Sequence, residues 1–487
     1  MKKPPQKTAA KTSKVATLKQ TTPTSDLNIP WLPAIPDRWE MVRSKRLFTV
    51  RKQRADADDE QLSATQAYGV IPQAEFERRV QRKVVRITQH LEKRAHVEPD
   101  DFVISMRSFQ GGLERAWARG CIRSSYVVLK PSPEVHVGYF AHLLKSHDYI
   151  RALQATSNFI RDGQDLKFTN FCMIDLPVVP LEEQALMAKF LDHANRKIDG
   201  FIRAKRKLMG LLNEQKQALI HRAVTRGLDP TVPLKPSGIP WLGDVPQHWD
   251  VTRVKFASRK ISKGDTPSNL GRLFTENGPV RFIKIQNIGV GEIIETPRYS
   301  IDLETHAMLR RSQLQENDIV YAISGATTGK AAIVRRHHLP ANTNQAVAYI
   351  RPNGKIVPAF LVAWLHGAGL TKAMWLLTVQ SAQPNLSMEE LGNLPLLLPL
   401  LTEQEDILNW LKETLAPLQS ATSQAEREIS LLREYRTRLV ADVVTGQLDV
   451  REAARHLPAE TTDALDTTTM PDDPDLDLDS TASEDDA

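Results

Sequence analysis

The chain repeats itself once, and no other feature constrains its fold as strongly. IPWLPAIPDRWEMVR at 29–43 returns as IPWLGDVPQHWDVTR at 239–253, an offset of 210 residues. Trp31 aligns with Trp241, Pro36 with Pro246, Trp39 with Trp249 and Arg43 with Arg253. DFVIS at 101–105 is answered by DIVYA at 318–322, and LPVVPLEEQ at 176–184 by LPLLLPLLTEQ at 394–404. LLNEQKQALIHRAVTRGLD at 211–229 is answered by LLREYRTRLVADVVTGQLD at 431–449. Four markers keep their order while the offset drifts from 210 to 220, so one unit is used twice with few insertions. Solenoid repeats have periods of about 20–50 residues, which makes these duplicated domains and not a stacked array.

Two textures alternate within each copy. Residues 29–180 and 239–399 hold short β-branched and aromatic runs such as VRFIKIQNIGV, DIVYAISG and NQAVAYIRP, bounded by Gly, Pro and Asn. Such runs read as strands of a mixed globular domain. YFAHLLKSHDYIRAL at 139–153 and AFLVAWLHGAGLTKAMW at 359–375 have helical spacing. The second texture occupies 181–228 and 400–449. Apolar residues there recur at steps of three and four: Leu191, Ala194, Ile198, Phe201, Leu208, Leu212 and Leu219, then Leu411, Leu415, Leu418, Thr422, Ala425, Ile429, Leu432, Leu439 and Val443. That stripe predicts two long helices, each of about 30 residues, burying their seams against each other as an antiparallel coiled coil. Pro417 predicts a break, with a short helix at 402–415 before the long one. The expected class is α+β, with two similar globular domains, two long helices between them and an internal pseudo-two-fold.

The flanks differ. Residues 1–28 carry six lysines and read as a disordered basic arm, 229–238 as a linker, and 450–487 as a disordered acidic tail. Residues 457–487 hold eleven carboxylates and no Lys or Arg. The formal net charge is +6, so without those eleven the remaining chain stands at +17. A body this basic favours a polyanionic partner. The longest apolar run, LPLLLPLL at 394–401, is far short of the ~20 residues of a membrane span. Cys121 and Cys172 are too few for a disulfide framework or a four-cysteine zinc site, and both read as core thiols. With no signal-peptide core near Met1, the expected location is cytoplasmic.

Catalytic readings fail on stated requirements. SGATTGK at 324–330 resembles a phosphate-binding loop, but Gly325 and Gly329 enclose three residues where four are needed, and Ala331 stands where the loop needs Ser or Thr. His337 and His338 have no Cys or carboxylate at ligand spacing, so no metal is expected. No amino-methyltransferase signature and no helicase motif occurs. Polar recognition chemistry remains, in loops at equivalent places of the two copies. Arginine and lysine suit phosphates and guanine edges, Asn and Gln suit adenine. The candidates are Arg107, Gln110, Arg115, Arg119 and Arg123 in the first copy. In the second they are Lys284, Gln286, Asn287, Thr327, Thr328, Lys330, Arg335, Arg336, Asn342, Asn344 and Gln345.

The order IPW, a variable globular part, SGATTGKAAIV, NQAVAYIRP, QPNLS before LP…P…EQ, and a long helix ending VTG-LD resembles the specificity subunit of Type I restriction–modification systems. The likeness runs from Ile29 to Asp449, and GGLERAWARGCIRSSYVVLKP at 111–131 is similar to a target-recognition domain of that family. It implies target-recognition domains at 29–180 and 239–399 that each read one half of an asymmetric, bipartite site in double-stranded DNA. The ~45 Å helices would then act as a ruler between half-sites about 34 Å apart. It also implies a non-catalytic subunit that docks two methyltransferase subunits and restriction motor subunits. S-adenosylmethionine, ATP and Mg would belong to those partners, with none in this chain, and adenine would be methylated after flipping. The basic arm and acidic tail lie outside the family pattern. An autonomous DNA-binding regulator, a fused enzyme and a structural coiled-coil protein are the competing readings.

Overall fold

The structure, a computed structural model, describes residues 19–20, 25–26, 29, 31–32, 34–84, 91–106, 108–156, 167–325, 327–367 and 386–458. In chain order the first domain opens with β1 (Glu40–Arg43) and β2 (Phe48–Val50), then the hairpin β3 (Leu62–Thr65) and β4 (Gly69–Pro72). β5 (Ala95–Val97), β6 (Phe102–Ile104), β7 (Glu114–Arg115), β8 (Gly120–Ile122) and β9 (Val127–Pro131) follow. α1 (Val137–Leu143), α2 (His147–Ala155) and β10 (Asp175–Val178) complete it, and α3 (Leu181–Arg226) leaves it. The second domain uses β11 (Asp250–Arg253), β12 (Ser258–Lys263), β13 (Val280–Ile283), β14 (Tyr299–Ile301), β15 (Ile319–Ala322) and β16 (Ala331–Ile333). β17 (Ala341–Thr343), β18 (Val347–Pro352), α4 (Pro358–Leu365) and β19 (Pro395–Leu398) lead into α5 (Leu401–Val444) and α6 (Arg451–Arg455).

The duplication reappears in the central sheet and in the strands that enter and leave each domain. Each domain is built on a four-stranded antiparallel sheet, β7-β6-β9-β2 in the first and β16-β15-β18-β12 in the second. Each also pairs its entry strand with its exit strand, β1 with β10 and β11 with β19. The run FVI in β6 is wholly buried because the strand separates two cores: Phe102 and Ile104 face one, Val103 the other. IVYA in β15 does the same, with Ile319 and Tyr321 on one side and Val320 and Ala322 on the other. The Glu-Gln markers have a structural cause. The Gln184 amide donates to the carbonyls of Glu134 and Val179 and accepts from the His136 N–H at 2.8 Å. The Gln404 amide donates to Lys355 and Pro399 and accepts from the Val357 N–H, also at 2.8 Å. Both side chains tie the residue before a helix, α1 or α4, to the first turn of a long helix.

The chain divides inside the long helices into two compact units: unit 1 is 1–203 with 428–487, and unit 2 is 204–427. In unit 1 the first half of α3 and the second half of α5 run in opposite directions, since Asp199 pairs with Arg436 while Glu182 reaches Arg455. Leu191 shares its core with Leu439, Val443 and Val444. In unit 2 the end of α3 meets the start of α5, with Gly227 beside Glu403, and Ile220, Ala223 and Val224 share a core with Ile407, Leu411 and Leu415. Unit 2 is therefore continuous in sequence, whereas unit 1 is closed by chain from both ends. Gly446, at φ +74°, packs on Trp39 there as Gly227, at φ +70°, packs on Trp249 in unit 2.

Several expectations need correction. The helices have 46 and 44 residues, not about 30. α5 runs through Pro417 without a break. The N–H that proline lacks would bond Glu413, which is exposed, so water can meet that carbonyl, while Leu411 and Leu415 anchor the turns beside it. The stripe also shifts: Phe201 and Leu208 are 59% and 41% exposed, and Ile202, one residue along, is the buried position. The helical stretch 139–153 is two helices, separated where Ser146 caps the Tyr149 N–H. The acidic tail does not begin at 450, because Val450 and Ala454 are fully buried and α6 follows an Arg451–Asp449 ion pair. Within the basic arm, Lys19–Gln20 pairs with Leu448–Asp449 and Ser25–Asp26 with Ala34–Ile35. In the linker, Leu234–Pro236 pairs with Asp244–Pro246. Residues 1–18 and 459–487 lie outside the described residues.

Candidate nucleic-acid interface

Unit 2 gathers most of its candidates at one end of its strands. β13 and β17 are parallel, with Ile283 opposite Thr343, so the residues that follow them, Lys284 and Asn344, emerge side by side. The turn after β15 joins them through the Ile323 N–H to the Ala346 carbonyl, bringing Thr327, Thr328 and Lys330 toward Asn344 and Gln345. The segment after β12 completes the group: Asp265 N–H donates to Thr343, and Gln345 accepts from Thr266 Oγ1 at 3.1 Å. Asp265, Thr266 and Asn269 thus join the candidate surface, although residue-type reasoning missed them. Lys284 is half-buried, with its ammonium 4.0 Å from the Phe274 ring and 3.7 Å from the Tyr299 ring. Burial holds its pKa below the ordinary lysine range. Gln286 is exposed and bonds the Tyr299 hydroxyl.

Two candidates are not at the surface. Asn287 and Asn342 are 1% and 0% exposed. Asn287 donates to the carbonyls of Ile294 and Pro297, and Asn342 to Leu309 and the Ser312 hydroxyl. Their amides close loops within the fold, where a buried polar group must find partners. Arg335 and Arg336 are exposed but precede β17, at the opposite end from Asn344. Beside them His338 faces Glu295, 3.4 Å away, a carboxylate the spacing argument did not supply. His338 Nδ1 accepts from the Arg335 N–H and Arg281 pairs with Glu295 at 2.6 Å, so these groups form an internal ion-pair network. Burial, then His337 and Arg281, lower the His338 pKa to about 4 against the opposing pull of Glu295.

In unit 1, Gln110 is exposed, Arg123 is half-buried, and Arg107 lies outside the described residues. Arg115 is held by Asp100, with Nε 2.8 Å from Oδ1, and its guanidinium lies over the Trp117 ring at 4.2 Å. Arg119 is exposed yet surrounded by Asp56, Asp58 and Asp59 at 3.2–3.5 Å. Behind it the buried His96 offers one ring nitrogen to Asp59 at 2.6 Å and the other to Glu98 at 2.8 Å. Burial disfavours its charged form, but the two carboxylates outweigh burial and raise its pKa. Asp56, Asp59 and His96 have the donor types of a metal site, as do Glu295, His337 and His338. In both groups a neighbouring arginine already answers the carboxylate charge. The SGATTGK turn leads into β16 and not a helix, so it has no helix N-terminus to receive a phosphate. Cys121 is buried, as a core thiol should be, and Cys172 is partly buried; burial raises both thiol pKa values.

Comparison with known proteins gives this surface its context. Residues 256–429 match the family model of the Type I restriction modification DNA specificity domain. The MjaVIII specificity subunit of Methanocaldococcus jannaschii is 25% identical over 431 residues, which cover 86% of this chain and 94% of that protein. The EcoKI specificity subunit of Escherichia coli is 20% identical over 74% of this chain and 77% of its own length. This chain carries a Type I restriction DNA specificity domain and is similar along most of its length to Type I specificity subunits. Its fold agrees: a chain solved in work on complex assembly and conformational transition of the type I R-M system superposes with a TM-score of 0.61 at 15% identity, over 85% of this chain and 99% of that one.

A specificity subunit is a recognition subunit and not a catalyst. Among the described residues, no helix is long and apolar enough to cross a membrane. In this chain the polar loops of unit 2 and the arginine-bearing strands and loops of unit 1 are the candidate nucleic-acid surfaces. In unit 1 they lie on and beside the four-stranded sheet, and in unit 2 they join the turn after β15 to the ends of β13 and β17; their chemistry differs too, with amides, hydroxyls and lysine in unit 2 and guanidinium groups and an indole in unit 1.

Proposed function

We propose that this specificity subunit binds an asymmetric, bipartite site in double-stranded DNA, one half-site per unit. The observation that carries the reading is the repetition of one four-stranded sheet with different loop side chains, because equal scaffolds with unequal loops read unequal sequences. In unit 1 the reading groups are Gln110, Arg115, Arg119 and Arg123, with Arg107 beside them in sequence. In unit 2 they are Lys284, Gln286, Thr327, Thr328, Lys330, Asn344 and Gln345, with Arg335 and Arg336 as a separate basic pair. The subunit also scaffolds two methyltransferase subunits and restriction motor subunits in the cytoplasm. S-adenosylmethionine, ATP and Mg belong to those partners. Exposed apolar residues on the long helices support docking there: Phe201, Leu431 and Tyr435 in unit 1, Leu208 and Leu211 in unit 2.

The test is co-expression with its methyltransferase subunit, followed by mapping of methylated adenines in host DNA. A single split motif supports the reading. A stable complex that methylates no defined motif in the presence of S-adenosylmethionine overturns it.

A further inference from the structure

Trp117 stands out in unit 1. Among the described residues it is the one exposed tryptophan, at 52%. Its surroundings hold it rigidly. The backbone N–H donates to the Val70 carbonyl at 2.9 Å, and Arg115, two residues earlier on the same face, lies on the ring and is itself fixed by Asp100. The indole edge sits on Gly69, where a Cβ would come within 2.8 Å of Nε1. Gly69 is at φ +73° and belongs to the β3–β4 turn, whose Gln66 packs on Gly111 beside Gln110. One turn therefore touches both the indole and the loop that carries a candidate reading residue.

The register of the two sheets gives Trp117 its place in the duplicated plan. Phe102 is opposite Arg115 in unit 1, and Ile319 is opposite Ile333 in unit 2. One residue further, the Ala116 N–H donates to Asp101 and the Val334 N–H to Asp318, each at 2.8 Å. Asp100 and Asn317 match as well, both in the left-handed region at φ +71° and +68°. Trp117 consequently occupies the position of Arg335. Both are exposed, so the duplication has placed an indole where its sister copy presents a guanidinium.

We propose that Trp117, stiffened by the stacked Arg115, contacts duplex DNA in the half-site read by unit 1, as an apolar contact surface for sugar and base edges. The inference rests on the bipartite reading above. A pre-fixed indole loses little side-chain freedom on contact, and its interaction carries no net charge.

The test uses the full-length chain and the duplex it selects from a randomised library. Trp117→Ala is expected to weaken binding about tenfold, with Trp117→Phe recovering most of the loss. The slope of log affinity against log salt stays unchanged, since no phosphate contact is removed. Acrylamide quenching of the wild-type chain should fall when the duplex is added, and Trp117→Phe should abolish that protected component even if Trp117→Ala fails to fold. Unchanged affinity in a folded Trp117→Ala protein, or unchanged quenching on saturation with duplex, overturns the inference. So does a variant that binds duplex normally but no longer assembles with the methyltransferase subunit. If the wild-type chain selects no split sequence, the bipartite reading itself has failed.

Discussion

Gln184 and Gln404 engage the same three backbone groups in the two copies, and their burial makes each of those bonds costly to lose. Gln404→Ala would strand the Val357 N–H and the carbonyls of Lys355 and Pro399. A loss of about 2–4 kcal/mol is expected in urea unfolding monitored on unit 2. Histidines give the two units opposite pH responses. The His338 pKa is depressed to about 4, so the native state prefers it neutral and the unfolded chain takes up its proton first. The stability it contributes is complete above pH ~6.5 and is lost as pH falls toward 4. The loss is about 2 kcal/mol, less than the full shift implies, because exposed Glu295 admits water. His338→Gln should flatten the stability profile over that window; an unchanged profile would refute the assignment. His96 has a raised pKa, so its contribution is complete below pH ~6.5 and is lost as pH rises through the folded value.

At the scale of the element, the long helices tolerate what local propensity forbids. Pro417 is exposed and lies between anchored turns, so α5 accepts one missing hydrogen bond. Pro417→Ala is expected to raise stability by about 1–3 kcal/mol in a denaturant titration. A loss of stability would mean that the proline shapes the helix for packing. Phe201 reports on a different property of α3. At 59% exposure it contributes little to the fold. Phe201→Ser should leave the melting midpoint within about 1 °C, since surface substitutions stay within ±0.5 kcal/mol. It should reduce co-purification with the methyltransferase subunit. Full co-purification would remove the exposed helix face from the docking proposal.

For the whole molecule, duplication makes recognition modular. Replacing residues 29–180 with the corresponding domain of another specificity subunit should change one half of the methylated motif and leave the other half intact. Methylation mapping of the chimera decides it, and a change in both halves would mean the units do not read independently. The exchange must respect unit 1, whose core draws on Leu439, Val443, Val444 and Val450 from the far end of the chain. A chimera that ignores these contacts is expected to unfold unit 1 while unit 2, continuous from 204 to 427, keeps its own core.

The duplication, the two long helices and the Glu-Gln markers were legible in the amino-acid order, because each is a local pattern. Helical spacing repeats every few residues, and a glutamine that staples a helix start does so within about 50 residues of its partners. The family likeness rode on the same markers. Burial decided the rest, and burial depends on neighbours distant in sequence. Asn287 and Asn342 have the chemistry of base readers but spend it on internal carbonyls. Phe201 and Ile202 are adjacent and apolar, and only the packed helices show which one faces the core. His337 and His338 met a carboxylate more than 40 residues away. Trp117 carries no signal in the amino-acid order, and only the sheet register shows that it holds the place Arg335 holds in the other copy. Residue order determined which elements form and that they form twice; tertiary packing determined which side chains remained free to meet another molecule.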